Sequence, residues 1–259
     1  LIFMRIVIKV GTSTLTYSSG KLNIRRVEEL CKTLSDIKNA GNEIVLVTSG
    51  AIGMGVGKLN LAGRPSDMPT KQAAAAVGQC ELMYVYDKLF SEYNHTVAQI
   101  LITGGDIENG DRRLHFINTM ERLLQLGALP IINENDTVAT AEISVGDNDT
   151  LAAIVAVNIH ADLLILLSDI AGLYSADPKK DKNARLIPVV ETVDDKIRAL
   201  AGGAGSALGT GGMATKIHAA EICTASGADM VIADGSRPQI IYQILQKEAH
   251  CTLFKGKKS

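Results

Sequence analysis

The chain has 259 residues, 46% hydrophobic and 21% charged, a globular composition with room for one large α/β domain. Its formal net charge of −2 offers no dense basic face, so no nucleic acid is expected as a partner. The run 1–9 has too short an apolar core for a signal peptide. The most apolar stretch, 151–167, is broken by Asn158, His160 and Asp162, so no membrane span is expected either.

Residues 5–10 form a β-branched run that ends in Gly11-Thr12-Ser13, which predicts a buried strand and a loop. Helical spacing of Val27, Leu30, Leu34 and Ile37 predicts a helix over 24–40, stopped by Gly41. A second strand is expected at 43–48, followed by Ser49-Gly50-Ala51, and an Ala-rich helix at 70–90. Further on, 96–103 reads as a strand, 112–126 as a helix and 129–133 as a strand closed by Glu134-Asn135-Asp136. Then come a helix at 147–157 and the most apolar strand at 162–167, followed by Ser168-Asp169. The last elements are a helix at about 214–226, a strand at 229–233, a helix at 238–246 and an edge strand at Leu253-Phe254. The glycine-rich stretch 200–212 reads as a loop too short to link independent domains. Apolar strands alternating with amphipathic helices predict a mostly parallel open sheet covered on both faces, in one continuous domain.

Four cysteines, Cys31, Cys80, Cys223 and Cys251, form no CxxC pair and have no histidine at metal-ligand spacing. The first three sit in helical patterns and are expected as buried thiols, which fits a reducing cytosol. No residue set suggests a covalent nucleophile, and the five histidines are scattered.

Ligands of open α/β sheets bind beyond the carboxyl ends of the strands. Four such ends carry small polar residues: Lys9 to Thr12, Ser49 to Ala51, Asn133 to Asp136, and Ser168-Asp169. The stretch Gly209-Thr210-Gly211-Gly212-Met213-Ala214-Thr215-Lys216 adds glycines before a helix start, where free N–H groups and the helix dipole favour a phosphate. It is neither a Walker A loop nor a Rossmann fingerprint. Lys9 lies inside an apolar strand, where an ammonium is costly without a counter-charge. Asp147-Asn148-Asp149 supplies more polar groups than a helix cap needs, and one carboxylate between two lysines could hold both. Two lysines, glycine-loop amides and a metal ion are what phosphoryl transfer requires.

In these segments the chain resembles the amino acid kinase family. Those carrying the resemblance are Ile8 to Ser13, Val47 to Ile52, Lys71 to Gln79, Pro130 to Asp136, Val145 to Asp149, Asp169 to Tyr174 and Gly209 to Lys216. They occur in the family's order, and the INEND, GDND and GTGGMxTK set is that of the glutamate-phosphorylating branch. The resemblance implies a three-layer α/β/α sandwich, with glutamate held by about residues 1–160 and MgATP by about 161–259. It implies ATP-dependent phosphorylation of the γ-carboxylate of L-glutamate, the first step of proline biosynthesis. By the same resemblance Lys9 and Lys216 flank the transferring phosphoryl group and Asp149 orients both. Ser49, Gly50, Ala51, Asp136 and Asn148 hold glutamate. Lys9, Ser168, Asp169 and Thr210, Gly211, Gly212, Met213, Ala214, Thr215 and Lys216 line the nucleotide site. Mg2+ is expected with ATP, and no protein metal site is expected.

A cytoplasmic homo-oligomer, proline as feedback inhibitor and the reductase of the next step as partner are implied in the same way. The sequence ends at Ser259, before the RNA-binding-like domain that many members carry, and is read without it. Gly104-Gly105 stands where the family usually has an arginine followed by a small or acidic residue, and Ser168 where it commonly has a threonine. The alternatives are a kinase of aspartate or N-acetylglutamate, or a silent amino-acid or nucleotide sensor.

Overall fold

The computed structural model describes residues 3–17, 21–140, 145, 147–201 and 212–257. In chain order the elements are β1 (Arg5–Val10), α1 (Thr12–Leu15), α2 (Ile24–Asn39), β2 (Glu43–Val47), α3 (Ala51–Lys58) and α4 (Met68–Ser91). They continue with β3 (Val97–Ile102), α5 (Gly104–Glu108), α6 (Gly110–Gln125), β4 (Leu129–Glu134), α7 (Asn148–Asn158) and β5 (Leu163–Ser168). The last are β6 (Val189–Val190), α8 (Asp195–Leu200), α9 (Met213–Ala225), β7 (Asp229–Asp234), α10 (Ile240–Gln246) and β8 (Thr252–Phe254).

The strands form one sheet in the order β3-β4-β2-β1-β5-β7-β8-β6. All neighbours run parallel except β7 and β8. The chain leaves β1 toward β2 on one side and returns through α7 to β5 on the other, so β1 lies where the winding reverses. The expected edge strand at Leu253-Phe254 is corrected. It is β8, which sits between β7 and the two-residue β6, and β6 forms the edge. Two residues give no periodic signal, so β6 is invisible in sequence.

Side chains of a strand alternate between faces. Ile6, Ile8 and Val10 join α2, α4 and α10 in one core with Leu30, Leu34, Tyr86, Phe90 and Ile241. Val7 faces the other core, with Met120 of α6, Leu151 and Val155 of α7, and Ala219 and Cys223 of α9. This parity also decides where Lys9 goes, to the side of the sheet that carries α7 and α9.

Helix starts follow their caps. Asn23 accepts from Arg26 N, Asp67 from Thr70 N and Asp147 from Thr150 N. Asp106 completes a capping box with Thr103, and Asp194 caps α8. Cys80 departs from expectation. Gly78, Gln79 and Leu82 take the buried positions of α4, which leaves Cys80 exposed, while Cys31 and Cys223 are buried. Helices α3 and α4 approach closely: a Cβ on Gly78 would stand 1.7 Å from the Ala51 carbonyl oxygen, and one on Gly55 1.8 Å from that of Ala74. Among the described residues no helix is long and apolar enough to cross a membrane.

Candidate active site

The carboxyl ends of β1, β2, β4 and β5 open into one cavity of about 530 Å3. Its lining includes Lys9, Ser49, Gly50, Ala51, Asp136, Asn148, Asp149, Ser168, Asp169 and Lys216. These residues come from distant parts of the chain, and the sheet order gathers them. Helices α3 and α7 begin at this cavity, and α9 contributes Lys216 to its lining.

Lys9 stands next to last in β1, 7% exposed, with Val47 and Leu166 as its strand neighbours. A lysine buried so deeply needs an anion. Asp149, in the first turn of α7 and 1% exposed, supplies it: Oδ1 lies 2.7 Å from Lys9 Nζ. Oδ2 of the same carboxylate accepts a hydrogen bond from Lys216 Nζ at 3.0 Å and from Thr215 Oγ1 at 2.9 Å. Lys216 is 5% exposed, in the first turn of α9. Burial by itself would raise the Asp149 carboxyl, but the charges and hydrogen bonds of Lys9 and Lys216 outweigh it and hold the group below its usual range. Asp149 is therefore ionised at neutral pH, with its carboxylate between the two lysines.

Asp147 serves as the cap of α7, its carboxylate accepting from both Thr150 N and Thr150 Oγ1 at 2.8 Å. That leaves Asn148 to turn inward. Its Nδ2 faces the Thr48 carbonyl at 2.7 Å, Ser49 Oγ at 2.8 Å and Asn133 Oδ1 at 3.0 Å. The amide chain continues as Asn133 donates to Gln79, whose Nε2 donates to Gln99 of β3. It ties β2, β4, α4 and α7 together under the cavity.

Asp136 follows β4. Burial first, and then the neighbouring Glu134 carboxylate, push its carboxyl up to about 6, while the Arg64 guanidinium opposes the rise. Glu134 is buried and accepts a hydrogen bond from Val145 N at 2.6 Å. Ser168 Oγ donates to Asp169 Oδ1 at 3.1 Å. Gly50 takes φ +99°, a left-handed value that suits glycine, at the N-cap of α3.

The glycine-rich stretch is only partly described. Thr210 and Gly211 lie outside the described residues. Gly212 caps α9 through its backbone, and Met213 packs on the core. Gly212, Met213, Ala214 and Thr215 are not among the residues lining the cavity, and Thr215 reaches it only through Asp149. Gly11, Thr12 and Asn133, expected as parts of ligand-facing strand ends, line the cavity, and so do Ser13 and Arg64, of which Arg64 had not been singled out at all. Arg64 lies in an irregular segment between α3 and α4, where no periodicity or motif marks it.

A parallel α/β sheet with an anion-ready cavity at its winding reversal is the architecture of a phosphotransferase fold, and the comparisons agree. Residues 4–234 match the family model for the amino acid kinase family, and the chain belongs to that family. Over 258 residues it is 49% identical to a glutamate 5-kinase of Clostridium perfringens, covering 98% of this chain and 96% of that one. It is 55% identical over 250 residues to a glutamate 5-kinase of Clostridium acetobutylicum, covering 96% and 94%. Among solved structures, a carbamate kinase from Giardia lamblia superposes with a TM-score of 0.71 at 16% identity, covering 98% and 99%. A UMP kinase from Ureaplasma parvum gives 0.68 at 15% identity, covering 98% and 100%. At these identities the structural likeness concerns the fold alone.

Proposed function

We propose that this chain has glutamate 5-kinase activity, transferring the γ-phosphoryl group of ATP to the γ-carboxylate of L-glutamate. The observation that carries the reading is the convergence of Lys9 and Lys216 on the single carboxylate of Asp149 within one cavity. The identity of about half of all positions with glutamate 5-kinases over nearly the whole chain supports it.

A carboxylate nucleophile is already ionised at neutral pH, so the reaction needs no general base. An oxygen of the γ-carboxylate forms the new bond to the γ-phosphorus as the bond to the β-phosphate oxygen breaks, and ADP leaves. The chain's task is alignment and positive charge around the moving group. Lys9 and Lys216 supply the charge, and Asp149 spaces and orients them. Ser49, Gly50, Ala51 and Asn148 hold glutamate, with Asp136 facing its ammonium. Ser168, Asp169 and the start of α9 take the nucleotide. The N-terminal half is thus the amino-acid half and the C-terminal half the nucleotide half. Mg2+ bound to the nucleotide phosphates would neutralise part of their charge. Asp169 is the carboxylate on the nucleotide side that would face it, since Asp149 is committed to the lysines and both Asp147 oxygens to Thr150.

An ADP-release assay with and without L-glutamate, with hydroxylamine to trap the acyl phosphate, tests the reading. Glutamate-dependent ADP and hydroxamate are expected, and ADP release indifferent to glutamate would overturn it.

A further inference from the structure

The charged residues lining the cavity fall into two groups. Lys9 and Lys216 both engage the Asp149 carboxylate at close range. The second group is Glu134, Asp136 and Arg64. Arg64 is exposed at the rim of the cavity and, among the described residues, has no carboxylate within ion-pair distance. Arg64 and Asp136 line the same cavity.

An α-amino acid carries its ammonium and α-carboxylate on one carbon. A cavity lined by both an acid and a guanidinium can match that pair. The guanidinium is a planar fork suited to a carboxylate, which it can bind through two parallel hydrogen bonds. Beyond the two lysines, Arg64 is the one cationic side chain lining the cavity among the described residues. Asn148 Nδ2 is already shared among three oxygens, and Lys9 and Lys216 face the phosphoryl side. Pro65 directly follows Arg64 and restricts the backbone that presents it.

We propose that Arg64 binds the α-carboxylate of the amino-acid substrate beside the ammonium at Asp136, so that the site selects a free zwitterionic head. The assignment rests on the glutamate reading above. It makes Arg64 a specificity residue that lies outside the phosphoryl-transfer cluster.

Steady-state kinetics of the full chain with L-glutamate and with its α-amide, which keeps the γ-carboxylate but lacks the α-carboxylate, test this. Arg64→Ala is expected to raise the KM for glutamate about tenfold to a hundredfold, the loss typical of one charged hydrogen-bonded contact. The KM for ATP, the kcat with glutamate and the kinetics with the α-amide should stay within about twofold of the parent. Arg64→Lys should recover part of the glutamate KM. If glutamate and the α-amide weaken together, or if neither changes, the assignment falls while the kinase reading stands. A parent chain inert toward both compounds overturns both.

Discussion

Asp149 Oδ1 lies 2.7 Å from Lys9 Nζ, a contact between α7 and the centre of the sheet that leaves the second carboxylate oxygen for α9. Removing the anion takes away the counter-charge of buried Lys9 and one partner of buried Lys216. Asp149→Asn should destabilise the fold by about 3–5 kcal/mol, the usual result of breaking a buried ion pair from one side. A denaturant titration checks this, and an unchanged midpoint would contradict the description of the cluster.

Lys216→Ala removes one donor to the moving phosphoryl group. Its kcat should fall by about a hundredfold or more, as losing a single transition-state donor does. The KM for glutamate should change far less. Near-parental turnover would remove the role given to this lysine.

The carboxyl of Asp136, at about 6, gives glutamate binding a pH dependence. Binding an ammonium needs the ionised form, so the KM for glutamate should rise as pH falls through 6, and Asp136→Asn should flatten the profile at a high KM. The stability effect has the opposite sign. A carboxyl raised by folding holds its proton more tightly in the folded state, so its contribution to stability falls as pH climbs from about 4 to about 6. Asp136→Asn should therefore raise the melting temperature of the ligand-free protein at pH 7. A lower melting temperature would contradict the burial argument.

Asn148→Asp exchanges an N–H donor for an oxygen facing the Thr48 carbonyl, Ser49 Oγ and Asn133 Oδ1. The kcat/KM for glutamate should drop by more than about tenfold, since the hydrogen bonds to unionised acceptors are lost and repulsion replaces them. Equal kcat/KM in the two proteins would show that this bridge does not shape the site.

Gly78→Ala inserts a methyl group into the contact between α4 and the Ala51 carbonyl oxygen. Overpacking of this kind costs about 1–3 kcal/mol. Because α3 starts at the cavity with Gly50 and Ala51, displacement should also raise the KM for glutamate. Loss of stability with an unchanged KM would show that α3 moves without disturbing the site.

The legibility of these features varied with their physical origin. Lys9 was readable because a charge in an apolar strand demands a counter-ion, and strand parity then fixes which face holds it. Asp147, Asn148 and Asp149 were readable as an excess over capping needs, and the structure divides them into cap, bridge and counter-ion. Arg64 gave no signal, because the meaning of an arginine in an irregular segment depends on what the fold places opposite it. The two-residue β6 and the position of β8 depend on long-range pairing that leaves no local pattern. Cys80 was misread because an alanine-rich helix has a weak apolar face, and its orientation is set by the glycine contact with α3.

The openings of α3 and α7 on one hollow add partial positive charge from peptide dipoles, which no change of pH can neutralise. An anionic guest is drawn in by the backbone as well as by side chains. Substituting either lysine thus weakens the pull on phosphate without abolishing it, and such variants remain usable for measuring nucleotide affinity in the absence of turnover.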